Sequence, residues 1–194
     1  MDSASLILAS QSPRRRELLQ AAGYSFVCHS PEVDEFTEAA TAAELVALNA
    51  KHKAMEVAAK FPDCIVLGAD TLVVFEKKIF GKPTDRADAF RMLRQLSGVT
   101  HEVLTGVYVT HCDEKKSCQF EERSYVKFRD LRDSDIESYI DTIHPLDKAG
   151  AYAAQEDNGR IIECIEGSLT NVIGLPMERL KTTLAHHFPQ IVPR

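Results

Sequence analysis

The sequence predicts a mixed α/β fold: a twisted, partly antiparallel sheet flanked by helices. Three observations carry this. Short apolar runs alternate with helical segments over the first half of the chain, the signature of strand–helix units. Two β-type runs, 101–111 and 117–129, flank the polar turn "DEKKS" and predict an antiparallel pair. The chain has 194 residues, 44% of them hydrophobic, enough for a sizeable core. One domain over 1–194 is the expectation, with room for two lobes.

The elements follow in order. "LILA" (6–9) is a short buried strand. Ser12-Pro13 reads as helix cap and first helical position, opening a helix to about Ala22, ended by Gly23. "YSFVC" (24–28) suggests a second strand, and "SPEVDEFTEAA" an acidic loop. Thr41-Ala-Ala-Glu44 is a capping box for a helix to about Lys60, with Leu45, Leu48, Met55 and Ala59 near helical spacing. "CIVLGAD" is a buried strand ending at Asp70; "TLVVF" continues it and "EKKIFGKP" turns back. Thr84–Leu96 is an amphipathic helix stopped by Ser97-Gly98. After the paired β runs come a helix over Asp133–Ile143, a late strand in "GRIIECIEGS" and a last helix over Leu175–His187.

Composition narrows the class of function. A net charge of −6 disfavours a nucleic-acid polymer as partner. An anionic small molecule remains open if positive charge is concentrated locally. Five cysteines without a Cys-x-x-Cys pair read as free thiols in a reducing compartment. The apolar run at 6–9 is too short for a signal peptide, and no stretch has the length of a membrane span, so the expectation is a cytoplasmic protein without membrane attachment. Walker A, Gly-x-Gly-x-x-Gly and Gly-x-Ser-x-Gly patterns do not occur.

Charge does concentrate in "LASQSPRRR" (8–16). A helix start presents free N–H groups and partial positive charge; Arg14 and Arg15 there make an anion site suited to phosphate. A solvated basic helix start is the alternative, although basic residues there oppose the helix dipole. Asp70, past a buried apolar run, is either a strand-end ligand group or a turn aspartate. Asp34 and Glu35 are candidate ligands for a hard cation or part of a solvated acidic loop. Lys53 and Lys82 taken singly fit solvated lysines, and "DKAGAYAAQ" (147–155) fits a structural turn as well as a close approach to a ligand.

Together the segments resemble the Maf family, septum formation protein-like nucleotide pyrophosphatases. "LASQSPRRRELL", "VDE", Lys53-Ala54, "GADTLV", "GKP", "LSG", "HPLDKAGAYAAQ" and "GS-x-TNVIGLP" occur in the family's order across nearly the whole chain. The resemblance implies hydrolysis of a nucleoside triphosphate to monophosphate and pyrophosphate with a divalent metal, Mg²⁺ or Mn²⁺. It also implies a two-lobed fold with a cleft, similar to inosine triphosphate pyrophosphatases, and a homodimer. By the family's motifs Asp70 is the general base, and Glu35, after the first hairpin strand, shares the metal with it. Arg14, Arg15, Lys53 and Lys82 serve the phosphates, and Ser10 stands beside "SPRR". Arg14, Thr71 and Gln155 occupy the three positions that track base preference. They are similar to the dTTP- and UTP-preferring branch; a sister branch acting on 7-methyl-GTP has an aromatic residue, Gln and Glu there. Glu156, Leu169 and His52 depart from the family's usual residues, and "EDN" (156–158) adjoins Gln155. Broader house-cleaning of non-standard nucleotides, and a nucleotide-binding regulator of cell division, are the competing expectations.

Overall fold

A computed structural model describes residues 6–193. The strands are β1 (Leu6–Ala9), β2 (Phe26–His29), β3 (Ile65–Phe75), β4 (Lys78–Phe80), β5 (Thr100–His111), β6 (Lys116–Phe128) and β7 (Ile162–Glu166). The helices are α1 (Pro13–Ala21), α2 (Ala42–Lys60), α3 (Arg86–Leu96), α4 (Asp133–Ile143), α5 (Leu169–Ile173) and α6 (Met177–His187). The sheet runs β2-β1-β3-β5-β6-β7, with β4 paired to β3. β1 is parallel to both β2 and β3, whereas the β3–β4 and β6–β7 pairs are antiparallel, so the sheet is mixed as expected.

Burial follows pairing. β1 lies between two parallel neighbours and buries all four residues, which is why its sequence is an unbroken apolar run. β6 instead alternates, burying Phe120, Ser124, Val126 and Phe128 on one face. The β3–β4 connection uses two residues, Glu76 and Lys77, both at positive φ, the handedness a two-residue hairpin needs.

The chain divides into two compact units. The first holds described residues 6–70, 105–122 and 174–193. Its larger core joins Leu6, Leu8, Leu19, Ile65 and Leu67 to Leu180 and Leu184 of α6 and to Phe188 just past it. A second core seats Ala50, Ala54, Val57 and Ala58 of α2 on Ile7, Ala9, Val66 and Tyr108. The second unit holds 71–104 and 123–173, with one core built from α3, α4 and Val73, Phe80, Phe128, Tyr139 and Tyr152.

Several expectations need correction. Leu48, Met55 and Ala59 of α2 are exposed; the buried face is Val46, Ala47, Asn49, Ala50, Lys53, Ala54, Val57 and Ala58, with Leu45. The cause is close packing through small residues. A Cβ on Gly68 would stand 2.4 Å from the Ala50 carbonyl, and one on Gly106 2.6 Å from that of Val46. Asp70 does not end its strand: β3 continues to Phe75. Glu35 follows no hairpin strand, since β1 and β2 are parallel. α3 starts at Arg86 with Asp85 as cap, β2 at Phe26, and α6 at Met177. The five-residue α5 and three short 3₁₀ turns (Pro145–Asp147, Ala149–Ala151, Ala154–Glu156) were not expected. No helix among the described residues is long and apolar enough to cross a membrane.

Candidate active site

The site begins where the parallel ladder stops. β1 and β3 pair from Leu6↔Ile65 to Ala9↔Gly68, and the next residues out are Ser10 on one strand and Ala69 and Asp70 on the other. In open α/β sheets this carboxyl end is where ligands gather. Asp70 therefore sits at the end of the parallel pairing while lying within a longer strand.

Asp70 is buried, 5% exposed, and both its carboxylate oxygens are engaged. Lys53 Nζ donates to Asp70 Oδ1 at 2.6 Å, and Asn49 Nδ2 donates to Asp70 Oδ2 at 3.3 Å. Asn49 and Lys53 lie one turn apart on α2 and so share a face. The same ammonium is 2.6 Å from Glu35 Oε1, which reaches in from the irregular segment ahead of α2. Lys53 is buried and Glu35 exposed, so the ion pair runs from interior to surface. A buried lysine needs partners of this kind, because desolvating an unpaired ammonium is costly.

The Thr41 cap of α2 forms as expected, but the reciprocal bond of a full capping box is shifted by one residue, to the N–H ahead of the cap. Thr41 Oγ1 accepts from the Glu44 N–H at 3.1 Å, while Glu44 Oε2 accepts from the Ala40 N–H at 3.0 Å. It fixes where α2 begins, and thereby which face Asn49 and Lys53 occupy.

The basic helix start lies in the same unit. Ser12 is the cap residue of α1 by backbone, but its hydroxyl makes no cap bond. Ser10 Oγ takes that place in part, accepting from the Ser12 N–H at 3.1 Å and from Arg15 Nη1 at 3.3 Å. Arg15 Nε donates to the Gly174 carbonyl at 2.8 Å, which ties "IGLP" to the helix start. Burial pushes the Arg15 guanidinium below its ordinary value; Asp70 opposes that shift, Arg14 adds to it, and Glu35 opposes it. Arg15 thus feels both carboxylates.

The first unit therefore holds Ser10, Arg14, Arg15, Glu35, Lys53 and Asp70. Thr71, directly after Asp70 on β3, belongs to the second unit with Lys82 and Gln155. Lys82 is exposed beside Gly81, whose carbonyl accepts from the Gly150 N–H at 3.0 Å, so "GKP" and "KAGAY" are joined. Gln155 is exposed in the 3₁₀ turn Ala154–Glu156. The unusual "EDN" is structural here: Asp157 is buried and its carboxylate accepts from the N–H groups of Ile161 and Ile162, both at 3.1 Å.

Sequence reading passed over Asn49. An asparagine in a helix interior is disfavoured unless its side chain has a specific use, and that was the available signal. Two carboxylates converging on one cationic centre also suit a hard divalent ion that takes its remaining oxygens from substrate and water. Among the described residues, no group of three or more His, Cys, Asp or Glu side chains is placed to hold a metal.

Fold and cluster together define a class: a mixed α/β protein with a charge-balanced polar site past the carboxyl ends of parallel strands. Comparison with known proteins narrows it. A family model described as Maf-like protein matches residues 5–187, and the chain belongs to the Maf family. It is 47% identical over 175 residues to a Symbiobacterium thermophilum protein named dTTP/UTP pyrophosphatase, covering 90% of this chain and 89% of that one. It is 44% identical over 180 residues to a Pelotomaculum thermopropionicum protein of the same name, covering 92% and 94%. Among solved structures it is similar in fold to the Staphylococcus aureus Ham1 protein, with TM-score 0.54, 17% identity and coverage of 94% and 98%. A HAM1 protein from Coxiella burnetii gives TM-score 0.52, 16% identity and coverage of 94% and 99%.

Proposed function

We propose that this chain hydrolyses dTTP and UTP to the monophosphate and pyrophosphate, by attack of water on the α-phosphorus. The observation that carries the reading is the Lys53 ammonium held at 2.6 Å from both Asp70 and Glu35, with Arg15 close enough to feel both carboxylates. A base and a set of cations lie within one compact unit, and attack on a triphosphate needs both. The name dTTP/UTP pyrophosphatase, carried by relatives that match about nine-tenths of this chain, supports the substrate.

In this reading Asp70 accepts the proton of the attacking water. Arg14, Arg15, Lys53 and Lys82 neutralise the phosphates, and Ser10 holds Arg15. The water oxygen bonds to the α-phosphorus, the α–β bridging bond breaks, and pyrophosphate leaves. Glu35 and Asp70 are the residues that would hold Mg²⁺ or Mn²⁺, which when bound supplies charge neutralisation at the phosphates. Thr71 and Gln155 read the base. The substrate is a small molecule, and a homodimer is the assembly proposed.

Pyrophosphate release across a panel of natural and modified triphosphates, with Mg²⁺ or Mn²⁺, tests the reading. Release should be fastest from dTTP and UTP. Hydrolysis in ¹⁸O water should label the monophosphate; label in the pyrophosphate would place attack at the β-phosphorus and reject the mechanism. Equal rates on modified nucleotides of every base would replace the pyrimidine preference with a general house-cleaning role.

A further inference from the structure

We propose that Asn49 is a positioning residue of this site, tying the Glu35 loop to the Asp70 carboxylate. The proposal rests on the reading of Asp70 as the base.

Asn49 is 2% exposed, in the middle of α2. Its Oδ1 accepts from the Phe36 N–H at 2.8 Å, and its Nδ2 donates both to the Phe36 carbonyl at 3.0 Å and to Asp70 Oδ2 at 3.3 Å. A carboxamide has two N–H donors and one carbonyl acceptor, so every group is in use. The orientation of the amide follows from its partners. Turned over, it would set a carbonyl against the Asp70 carboxylate and an NH₂ against the Phe36 N–H.

These bonds close a ring. Asn49 holds Phe36, and Phe36 follows Glu35. Glu35 pairs with Lys53, Lys53 with Asp70 Oδ1, and Asp70 Oδ2 with Asn49 again. Glu35 sits in a segment outside helix and strand, so no regular ladder fixes its backbone. Pinning both the N–H and the carbonyl of the next residue supplies that constraint. On Asp70 the effect is rotational. Each oxygen is claimed by a residue of α2, so the plane of the carboxylate is set before substrate arrives. Preorganisation of this kind acts on turnover more than on substrate affinity.

The test pairs hydrogen exchange at the Phe36 amide with steady-state pyrophosphate release from UTP, in wild type, Asn49→Ala and Asn49→Asp. Asn49→Ala loses all three bonds. Asn49→Asp keeps an acceptor for the Phe36 N–H but loses both donors and sets a carboxylate against Asp70. Exchange at Phe36 should quicken roughly tenfold or more in Asn49→Ala and stay slow in Asn49→Asp. In both variants kcat should fall about 10- to 100-fold while KM stays within about threefold. Folded variants with wild-type kcat, or a loss carried by KM, overturn the positioning role while leaving the reaction standing. A wild-type protein that releases no pyrophosphate from any triphosphate overturns the reading of the reaction, and the positioning role with it. If Asn49→Ala does not fold, the isosteric Asn49→Asp decides by the same split, a fall in kcat at unchanged KM.

Discussion

Gly68 of β3 meets the main chain of α2 with no room for a side chain: a Cβ there would stand 2.4 Å from the Ala50 carbonyl and 2.8 Å from the Ala54 Cβ. The neighbours are backbone and a helix-fixed methyl, so neither can swing aside. Gly68→Ala should therefore push α2 off the sheet and destabilise the protein by about 1–3 kcal/mol or more. Because α2 carries Asn49 and Lys53 and β3 carries Asp70, turnover should fall at temperatures where the variant is still folded. Urea unfolding and pyrophosphate release check this; an unchanged midpoint would mean the contact relaxes freely.

That contact also explains what the sequence hid. The boundaries of α4 and the Thr41 cap of α2 were legible, because capping and 3.6-residue periodicity are local properties. The core face of α2 was not. Leu45, Leu48, Met55 and Ala59 lie near helical spacing, but of these only Leu45 is buried, and the face that packs is the one whose alanines fit Gly68 and Gly106, a property of two distant strands. Asp70 could be placed near a ligand-binding edge but not within its strand, since pairing partners are non-local. α5, five residues long, is too short to show a period. Glu35, Lys53 and Asp70 were grouped through family resemblance; no spacing in the chain brings 35, 53 and 70 together. Asn49 belongs to no motif quoted from the chain, and only its unfavourable place in a helix marks it.

His101 should make stability depend on pH. It is 1% exposed, packed edge-on against Phe128 and Tyr152, with Nε2 3.0 Å from the Tyr152 hydroxyl. Burial pushes its pKa from 6.5 down to about 4. The unfolded chain therefore takes up a proton between those values and the folded one does not. Stability from this group is full above pH 6.5 and declines as pH falls towards 4, by about 3 kcal/mol in all. Denaturation measured from pH 4 to 7 should show this slope in wild type and a shallower one in His101→Gln. Equal slopes would assign the pH dependence to other groups.

Asp70→Asn should lower kcat by about 10²–10⁴ while nucleotide still binds. The amide keeps the shape and its oxygen can still accept from Lys53, but its NH₂ then faces the Asn49 NH₂, and it accepts no proton. Lys53 retains Glu35, so the phosphate-side charge persists. Equilibrium binding of UTP beside single-turnover rates separates the two effects. A variant with near-wild-type kcat would remove Asp70 from the base role.

Gln155→Glu should weaken hydrolysis of dTTP and UTP more than it alters phosphate handling. Thymine and uracil present O4 and O2 acceptors and an N3–H donor, and a glutamine amide can donate to an oxygen while accepting from N3–H. Glutamate loses the donor and sets negative charge against the carbonyls, an unmatched contact costing about 1–3 kcal/mol. The backbone presenting Gln155 is braced on both sides. The Ala153 N–H donates to the Tyr139 hydroxyl at 3.1 Å, and the Asp157 carboxylate is held by two N–H groups. Because none of those bonds involves the Gln155 side chain, the substitution should leave the turn intact and change only what it presents. Cytosine is the informative control, since a flipped amide would suit it. Comparing kcat/KM of wild type and variant on UTP, dTTP, CTP and 7-methyl-GTP reads this directly. The first two should fall most, and the cationic 7-methylguanine should gain relative to them. An equal fall on all four would make Gln155 a structural part of its turn and transfer base recognition to other residues.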